Sequence, residues 1–416
     1  ARNALGIQFG PIIGGSVKMN MVYNVPSDGT AEVFMALDLK DASLAIAELF
    51  WDKPKGEDAS VQLVGTIGED GRLRITNLEV ESNELRAEGL VTLNLSPLEL
   101  AYIKLNSFEL RDNDLALEVG RDQDKNFVIQ ISGKSLDLRP YIEQLLDSSQ
   151  DSLPPFIFNA RVERIITRAD QQITDAQLHL TTSVDRMEEG RLYGTLVSGA
   201  DVEVNLFRDG PKRMFSVRSD DAGSVARAFD IYDNAVGGIL SMDVILHDDQ
   251  KGVPVTGEVR VTDYKVINAP TLAQMLAIAS FTGIFEALEG EGIAFSALSL
   301  PFSVEDNVVT VNNAQTAGLS IGLNASGKVD LLDKKVNIRG TIIPAYMVNG
   351  ILGNIPILGD ILVGGKGNGI FAATYHVTGT TSEPKVIVNP LAVLAPGFLR
   401  NLFSIFEGSA DPSVSN

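Results

Sequence analysis

The chain has 416 residues, enough for two or three average domains or one extended repetitive one. Its 34 Lys+Arg against 54 Asp+Glu give a net charge of −20, which argues against a nucleic-acid partner and against general attraction to anionic lipid headgroups. The 44% hydrophobic and 21% charged residues exclude wholesale disorder, and the absence of cysteine excludes disulfides, thiolate metal sites and a cysteine nucleophile.

The chain opens at Ala1 without a charged start and apolar core, so no signal peptide is expected in it. From there, apolar and polar residues alternate in short runs punctuated by Gly, Asn and Asp, the pattern of half-buried strands joined by tight turns. The inward positions on this reading are Leu73 and Ile75, Val91 and Leu93, Val202 and Val204, Val259 and Val261, Leu319, Ile321 and Leu323, Val329 and Leu331, and Val336 and Ile338. Glu69-Asp70-Gly71, Asp209-Gly210 and Glu305-Asp306-Asn307 carry the turn chemistry. An antiparallel meander follows, not a doubly wound sheet.

Helical periodicity is confined to short insertions at 138–147, 223–233 and 271–288, and to a helix around 397–406 in an amphipathic tail, 390–406, that Pro390 and Pro396 interrupt. The 271–288 segment and the tail are apolar but too short or too broken to cross a membrane. Both read as buried or interfacial helices, with Phe281, Phe285, Phe398, Leu399, Leu402, Phe403 and Phe406 as the membrane-contact candidates.

Residues 70–93 can be laid over 306–331 as an internal repeat. Asp70, Leu73, Ile75 and Asn77 then fall on Asp306, Val309, Val311 and Asn313. After a two-residue insertion, Gly89, Val91 and Leu93 fall on Gly327, Val329 and Leu331.

Strands with one apolar face need cover, and there are too few helices to supply it. Either two sheets pack together, or one elongated sheet curls into a trough that takes a ligand with hydrocarbon chains. The fold expected is thus mostly β, an elongated, curled antiparallel sheet with a few short helices.

Motifs for chemistry are weak. GLSIG (318–322) matches G-x-S-x-G, and Ser320, Asp333 or Asp360, and His376 follow the hydrolase order. That mechanism needs Ser on a strand-to-helix turn, whereas the surrounding apolar residues read as strand. LVGGKGNG (362–369) fails the phosphate-loop spacing at Asp360 and Gly367, and RDNDLALE (111–118) fails the calcium-loop pattern. His179, His247 and His376, the three histidines of the chain, sit apart in strand-like settings. No catalytic residue, metal site or cofactor is expected, and the chain reads as a non-enzyme.

The C-terminal half carries a series of motifs in fixed order: an apolar helix after a strand, GLNASGKVDL (322–331), IPAYMVN (343–349), IPILGDILVGGKG (355–367), YHVTGTTSEPKVIVNP (375–390) and PGFLR (396–400). Over residues 215–406 this resembles the C-terminal region of AsmA-like proteins, most of all the large YhdP-type envelope proteins, with TamB more distant. The resemblance implies a repeating β-groove segment at 1–214 and an AsmA-like C-terminal region at 215–416. It implies a periplasmic protein of a Gram-negative bacterium, held in the inner membrane through a segment absent here, with its C-terminal end at the outer membrane. The implied function is bridge-like transfer of phospholipid or another envelope lipid between the two membranes, with envelope proteins as possible partners. The alternative is a scaffold or assembly factor for outer-membrane proteins, whose exposed sheet edges pair with client strands.

Overall fold

The structure is a computed structural model that describes residues 12–26, 30–141, 155–168, 171–183, 186–278, 284, 288, 290–344 and 371–393. Strands account for 70% of it and helices for 8%, which makes the fold mostly β. The chain divides into two compact units, 1–195 and 196–416. The division read from the sequence, 214/215, falls inside a strand of the second unit, Lys212–Ser219.

The first unit holds β1 (Ile12–Gly15), β2 (Lys18–Asn24), β3 (Ala31–Asp38), β4 (Ala42–Ile46), β5 (Trp51–Lys53), β6 (Ala59–Ile67), β7 (Arg72–Ser82), β8 (Leu85–Leu95) and β9 (Leu98–Leu110). It continues with β10 (Asn113–Arg121), β11 (Phe127–Asp137), β12 (Phe156–Arg168), β13 (Gln171–Thr182) and β14 (Met187–Leu196). Its ladder runs β2-β3-β6-β7-β8-β9-β10-β11-β12-β13. Every pairing is antiparallel except one: β11 and β12 run parallel, from Phe127 beside Phe156 to Asp137 beside Ile166. The expected all-antiparallel sheet is corrected at that point. A parallel pair cannot be joined by a tight turn, and eighteen residues, 138–155, separate these two strands in the sequence. Of the helix expected at 138–147, only the start through Tyr141 is described.

A separate three-stranded sheet, β1-β4-β5, sits at one end of this ladder. Arg111, in the β9–β10 turn, donates to the Phe50 carbonyl at 3.1 Å, and Tyr141 donates to that of Glu48 at 2.7 Å. The Phe50 and Tyr141 rings meet edge to face, 5.0 Å apart. Within the small sheet the Lys53 ammonium is buried and donates to the Ala42 and Pro54 carbonyls.

The second unit continues with β15 (Asp201–Asp209), β16 (Lys212–Ser219), a helix at Ala222–Ala228, β17 (Ala235–Leu246), β18 (Val255–Val266), a helix at Pro270–Ile278 and β19 (Ile293–Glu305). It ends with β20 (Val308–Ala317), β21 (Ile321–Asp330), β22 (Lys335–Pro344), β23 (Phe371–Thr380) and β24 (Pro384–Val393). These ten strands pair in chain order, all antiparallel. Among the described residues β2 pairs only with β3 and β24 only with β23, so the sheet does not close into a barrel.

The helix expected at 223–233 forms at Ala222–Ala228, where the Asp221 carboxylate caps it by accepting from the Ser224 backbone N–H. The 271–288 helix begins one residue early with Pro270 in its first turn, a position where a missing N–H costs nothing. Ile284 and Leu288 are helical and buried, while Phe281 and Phe285 lie outside the described residues.

Of the amphipathic tail expected at 390–406, residues 390–393 extend β24 and pair with β23 as far as Val393 opposite Phe371, and the rest lies outside the described residues. The β-branched run Val386-Ile387-Val388 favours a strand. Pro390 is tolerated because β24 is an edge strand and its ladder shifts register beside this residue, opposite Ala372/Thr374. Phe398, Leu399, Leu402, Phe403 and Phe406 lie outside the described residues.

Candidate functional site

The ladder registers bring the apolar positions of the first unit onto one face. Side chains opposite each other across neighbouring strands share a face. One row therefore runs Tyr23, Val33, Gly65, Ile75, Val91, Ile103, Val119, Ile129, Phe158 and Leu180, one residue from each strand of the ladder. The next row is Met21, Met35, Leu63, Leu78, Gly89, Leu105, Leu117, Ile131, Ala160 and Leu178. The opposite face is polar, as in the row Lys104, Glu118, Gln130, Asn159 and His179.

The second unit repeats this arrangement. Leu206, Phe215, Val244, Gly257, Phe302, Val311, Gly327, Ile338, Val377 and Val386 make one row. Behind it, on the other face, Thr256, Ser303, Thr310, Lys328, Asn337, Thr378 and Lys385 make a polar one.

Burial along the strands is graded. In the first unit the end beside the small sheet is dry, with Leu110 at 2% exposure and Ile165 and Ile173 at 0%. Toward the other end Leu73, Leu93, Val119, Ile129, Phe158 and Leu180 are only half-buried, and Leu95 is exposed. In the second unit Ile293, Phe295, Ala317, Ile321, Ile342 and Ala373 are buried at the end where the two helices lie. Val255, Val304, Val309, Val329 and Val336, at the far end, are half-buried. Each apolar face is thus capped at one rim and open at the other.

The curl is explicit in the second unit. Tyr264 of β18, Phe295 of β19, Thr316 of β20, Leu323 of β21 and Tyr375 of β23 line a single cavity of about 350 Å³ with Leu272 and Met275 of the Pro270–Ile278 helix. A flat sheet would spread those strands over about 24 Å at its usual strand spacing. The rings of Tyr264 and Phe295 stack at 5.2 Å. Burial pushes the Tyr264 phenol up to about 12, against a partly opposing hydrogen bond with Thr316. Burial likewise raises Tyr375, whose hydroxyl donates to the Asn324 carbonyl at 2.7 Å. Both phenols are therefore neutral and engaged internally. A second cavity, about 300 Å³, is lined entirely by apolar residues of β15 to β19, among them Leu206, Phe215, Val244 and Phe302.

Most of the inward candidates fall on these faces. Leu73 stands opposite Leu93 and Ile75 opposite Val91. Val202 and Val204 share the face of Val259 and Val261 through β16 and β17, with Met242 opposite Val259 and Leu240 opposite Val261. Ile321, Leu323 and Val329 of β21 meet β22 on the same side, with Val336 opposite Val329 and Ile338 opposite Gly327. Two candidates lie elsewhere: Leu319 is 81% exposed in the bend before β21, and Leu331 is 50% exposed in the turn after it.

Leu331 is displaced because the two-residue insertion placed in the internal repeat does not exist in the structure. Leu73 opposite Leu93 corresponds to Val309 opposite Val329, a constant offset through both hairpins. Both hairpins also shift register at the same place, between Ile75 and Leu78 and between Val311 and Ala314.

The same bend disposes of the hydrolase geometry. Ser320 is exposed, Gly318 N–H donates to the Ile321 carbonyl, and the chain runs on into a strand, not a helix. The Asp112 and Asp114 carboxylates of 111–118 pair with Arg139 and Lys134. Each histidine bonds a neighbour across the ladder: His179 to Asn159, His247 to Thr256, His376 to Asn337. No group of His, Asp or Glu able to hold a metal ion occurs among the described residues. The 362–369 loop lies outside them.

The inner-face aromatics Tyr264 and Phe295 escape a reading by alternation. Asp263 adopts a left-handed φ of 56°, which flips the parity after Val261 and turns Tyr264 inward.

No family model, curated protein or solved structure matches this chain.

Proposed function

We propose that this chain is a segment of a bridge-like lipid carrier, in which hydrocarbon tails slide along the apolar sheet face while headgroups stay in water at the open rim. The observation that carries the reading is the uninterrupted set of apolar rows, one residue per strand across ten strands in each unit, left half-buried at one rim. Apolar contact is non-directional, so a row of such residues holds a chain without fixing one position along it. No step of this activity needs a reacting group. The ordered motifs of residues 215–406, which resemble AsmA-like proteins, support a bacterial envelope as the setting and phospholipid as the cargo. On that reading the protein works in the periplasm, between the inner and outer membranes, with its C-terminal end at the outer one.

Lipid mass spectrometry on the chain, purified without detergent and washed of loosely held lipid, tests this. Several phospholipid molecules per chain are expected. A folded, lipid-free chain overturns the reading.

One feature supports a second reading, a scaffold for outer-membrane proteins. All seven residues of edge strand β2 are exposed, and Met19, Met21, Val22 and Tyr23 have no proline or bulge among them to blunt pairing. In such a scaffold a client strand adds to β2. The test is strand-specific crosslinking from Val22 to a partner chain in the absence of bound lipid.

A further inference from the structure

We propose that the cavity under the Pro270–Ile278 helix is a binding site for an uncharged single-chain amphiphile with a hydroxyl head, such as a fatty alcohol. It lies at the capped rim, away from the open rim on which the carrier reading rests, and the inference stands without that reading. The cavity holds about 350 Å³. That is room for about a dozen heavy atoms, at the roughly 30 Å³ that a water molecule takes in the liquid. One chain fits the space and a two-tailed phospholipid does not. The walls are Val266, Leu272, Met275, Phe295 and Leu323. Two buried phenols also line it, and neither has anything to offer a ligand. Thr316 gives its hydroxyl proton to the Ala297 carbonyl, so Tyr264 donates to Thr316, at 2.6 Å, while Tyr375 donates to the Asn324 carbonyl.

The unengaged polar atoms lie on another part of the lining. Among the described residues the hydroxyls of Tyr232 and Thr271 have no hydrogen-bond partner, and Tyr232 is 42% exposed, which marks this side as the mouth. Asn234, also on the lining, donates through Nδ2 to the Asn268 carbonyl and keeps its Oδ1 as an acceptor. An amphiphile therefore enters tail first and leaves its head where hydroxyls and an amide oxygen can both give and accept a hydrogen bond. No Lys, Arg, His, Asp or Glu lines the cavity among the described residues, and burial raises the Tyr232 phenol, so the lining is uncharged. The helix N-terminus at Pro270 favours an anion by only a few-fold. Drying an ionised head without a cation beside it costs far more.

The test uses the full chain and a ten-carbon alcohol with a photoreactive diazirine in its chain, the crosslinked peptides being mapped by mass spectrometry. Label is expected within residues 264–278 and 293–297. Unlabelled 1-decanol should displace it there at a concentration at least about fivefold below that of decanoate at pH 8, where the acid is ionised, the effect of about one hydrogen bond. Tyr232→Phe removes one exposed hydroxyl and should reduce that preference at least about twofold. No label in either segment overturns the inference, as does a smaller preference for decanol, or one that a folded Tyr232→Phe chain keeps in full. A chain that carries no phospholipid overturns the carrier reading and leaves this result untouched.

Discussion

The Tyr375 hydroxyl reaches across the whole width of β22 to donate to the Asn324 carbonyl of β21, 2.7 Å away. It passes over Gly340, where a Cβ would lie 2.4 Å from that hydroxyl and 1.9 Å from the Asn324 carbonyl oxygen. The Asn324 side chain meanwhile accepts from the Thr341 N–H at 2.7 Å, taking over a place in the ladder. A glycine, a buried tyrosine and an asparagine together close the capped rim of the second unit.

Removing only the hydroxyl, with Tyr375→Phe, leaves a buried carbonyl without this donor and should cost about 1–3 kcal/mol. Gly340→Ala should cost more, since backbone on one side and the phenol on the other cannot both give way. Urea melts of the two variants check the order, and equal losses would contradict the geometry.

Leu276 and Leu319 have similar chemistry and opposite placements. Leu276, in the helix over the capped rim, is fully buried, whereas Leu319 stands 81% exposed in the bend before β21. Leu276→Ala should lower stability by about 2–5 kcal/mol, through lost burial and the cavity left behind. Leu319→Ala should stay within about 0.5 kcal/mol of the parent. A large effect at Leu319 would restore it to the apolar face.

Asp221 gives the second unit an acid-sensitive contact. Burial alone would raise its carboxyl, but hydrogen bonds from the Ser224 backbone N–H and hydroxyl and from Ser198, with the charge of Arg227, outweigh burial and hold it below the usual carboxylate range. A folded-state value below the unfolded one means that its stabilisation is complete above about pH 4 and is lost as pH falls through the lowered value. Asp221→Ala should cost about 1 kcal/mol at pH 7. Its difference from the parent should shrink in melts taken below about pH 4, and a difference constant with pH would rule out the carboxylate's role.

Alternation of apolar residues makes much of this architecture legible in the sequence. Ile75 meets Val91, and Val329 meets Val336, because a period of two fixes one face and the ladder register follows from it. Departures from that period were not legible. The left-handed Asp263 and the shift between Val311 and Ala314 each change parity by one residue, and neither Asp nor Asn at a turn-like position marks itself as a bulge within a strand. The parallel β11–β12 pair depends on a crossover whose sequence looks like any short helix. The tail strand was hidden by Pro390, which usually argues against a strand and is tolerated here by an edge position.

The adjacent residues Thr92 and Leu93 offer the most direct test of the apolar face. Leu93 stands opposite Leu73 on one neighbour and Leu100 on the other, whereas Thr92 stands opposite Arg74 and Tyr102 on the other face of β8. Glutamate at 92 meets water and an arginine. Glutamate at 93 places a carboxylate in the path of hydrocarbon, where its desolvation opposes every tail that passes. Leu93 is half-buried, so the charge retains some hydration in the empty protein and the fold should survive. Leu93→Glu should therefore cut lipid recovered per chain by about tenfold, a penalty near 1.4 kcal/mol, while Thr92→Glu leaves recovery unchanged. Equal recovery from both variants, each folded by circular dichroism, would show that lipid does not travel over this face.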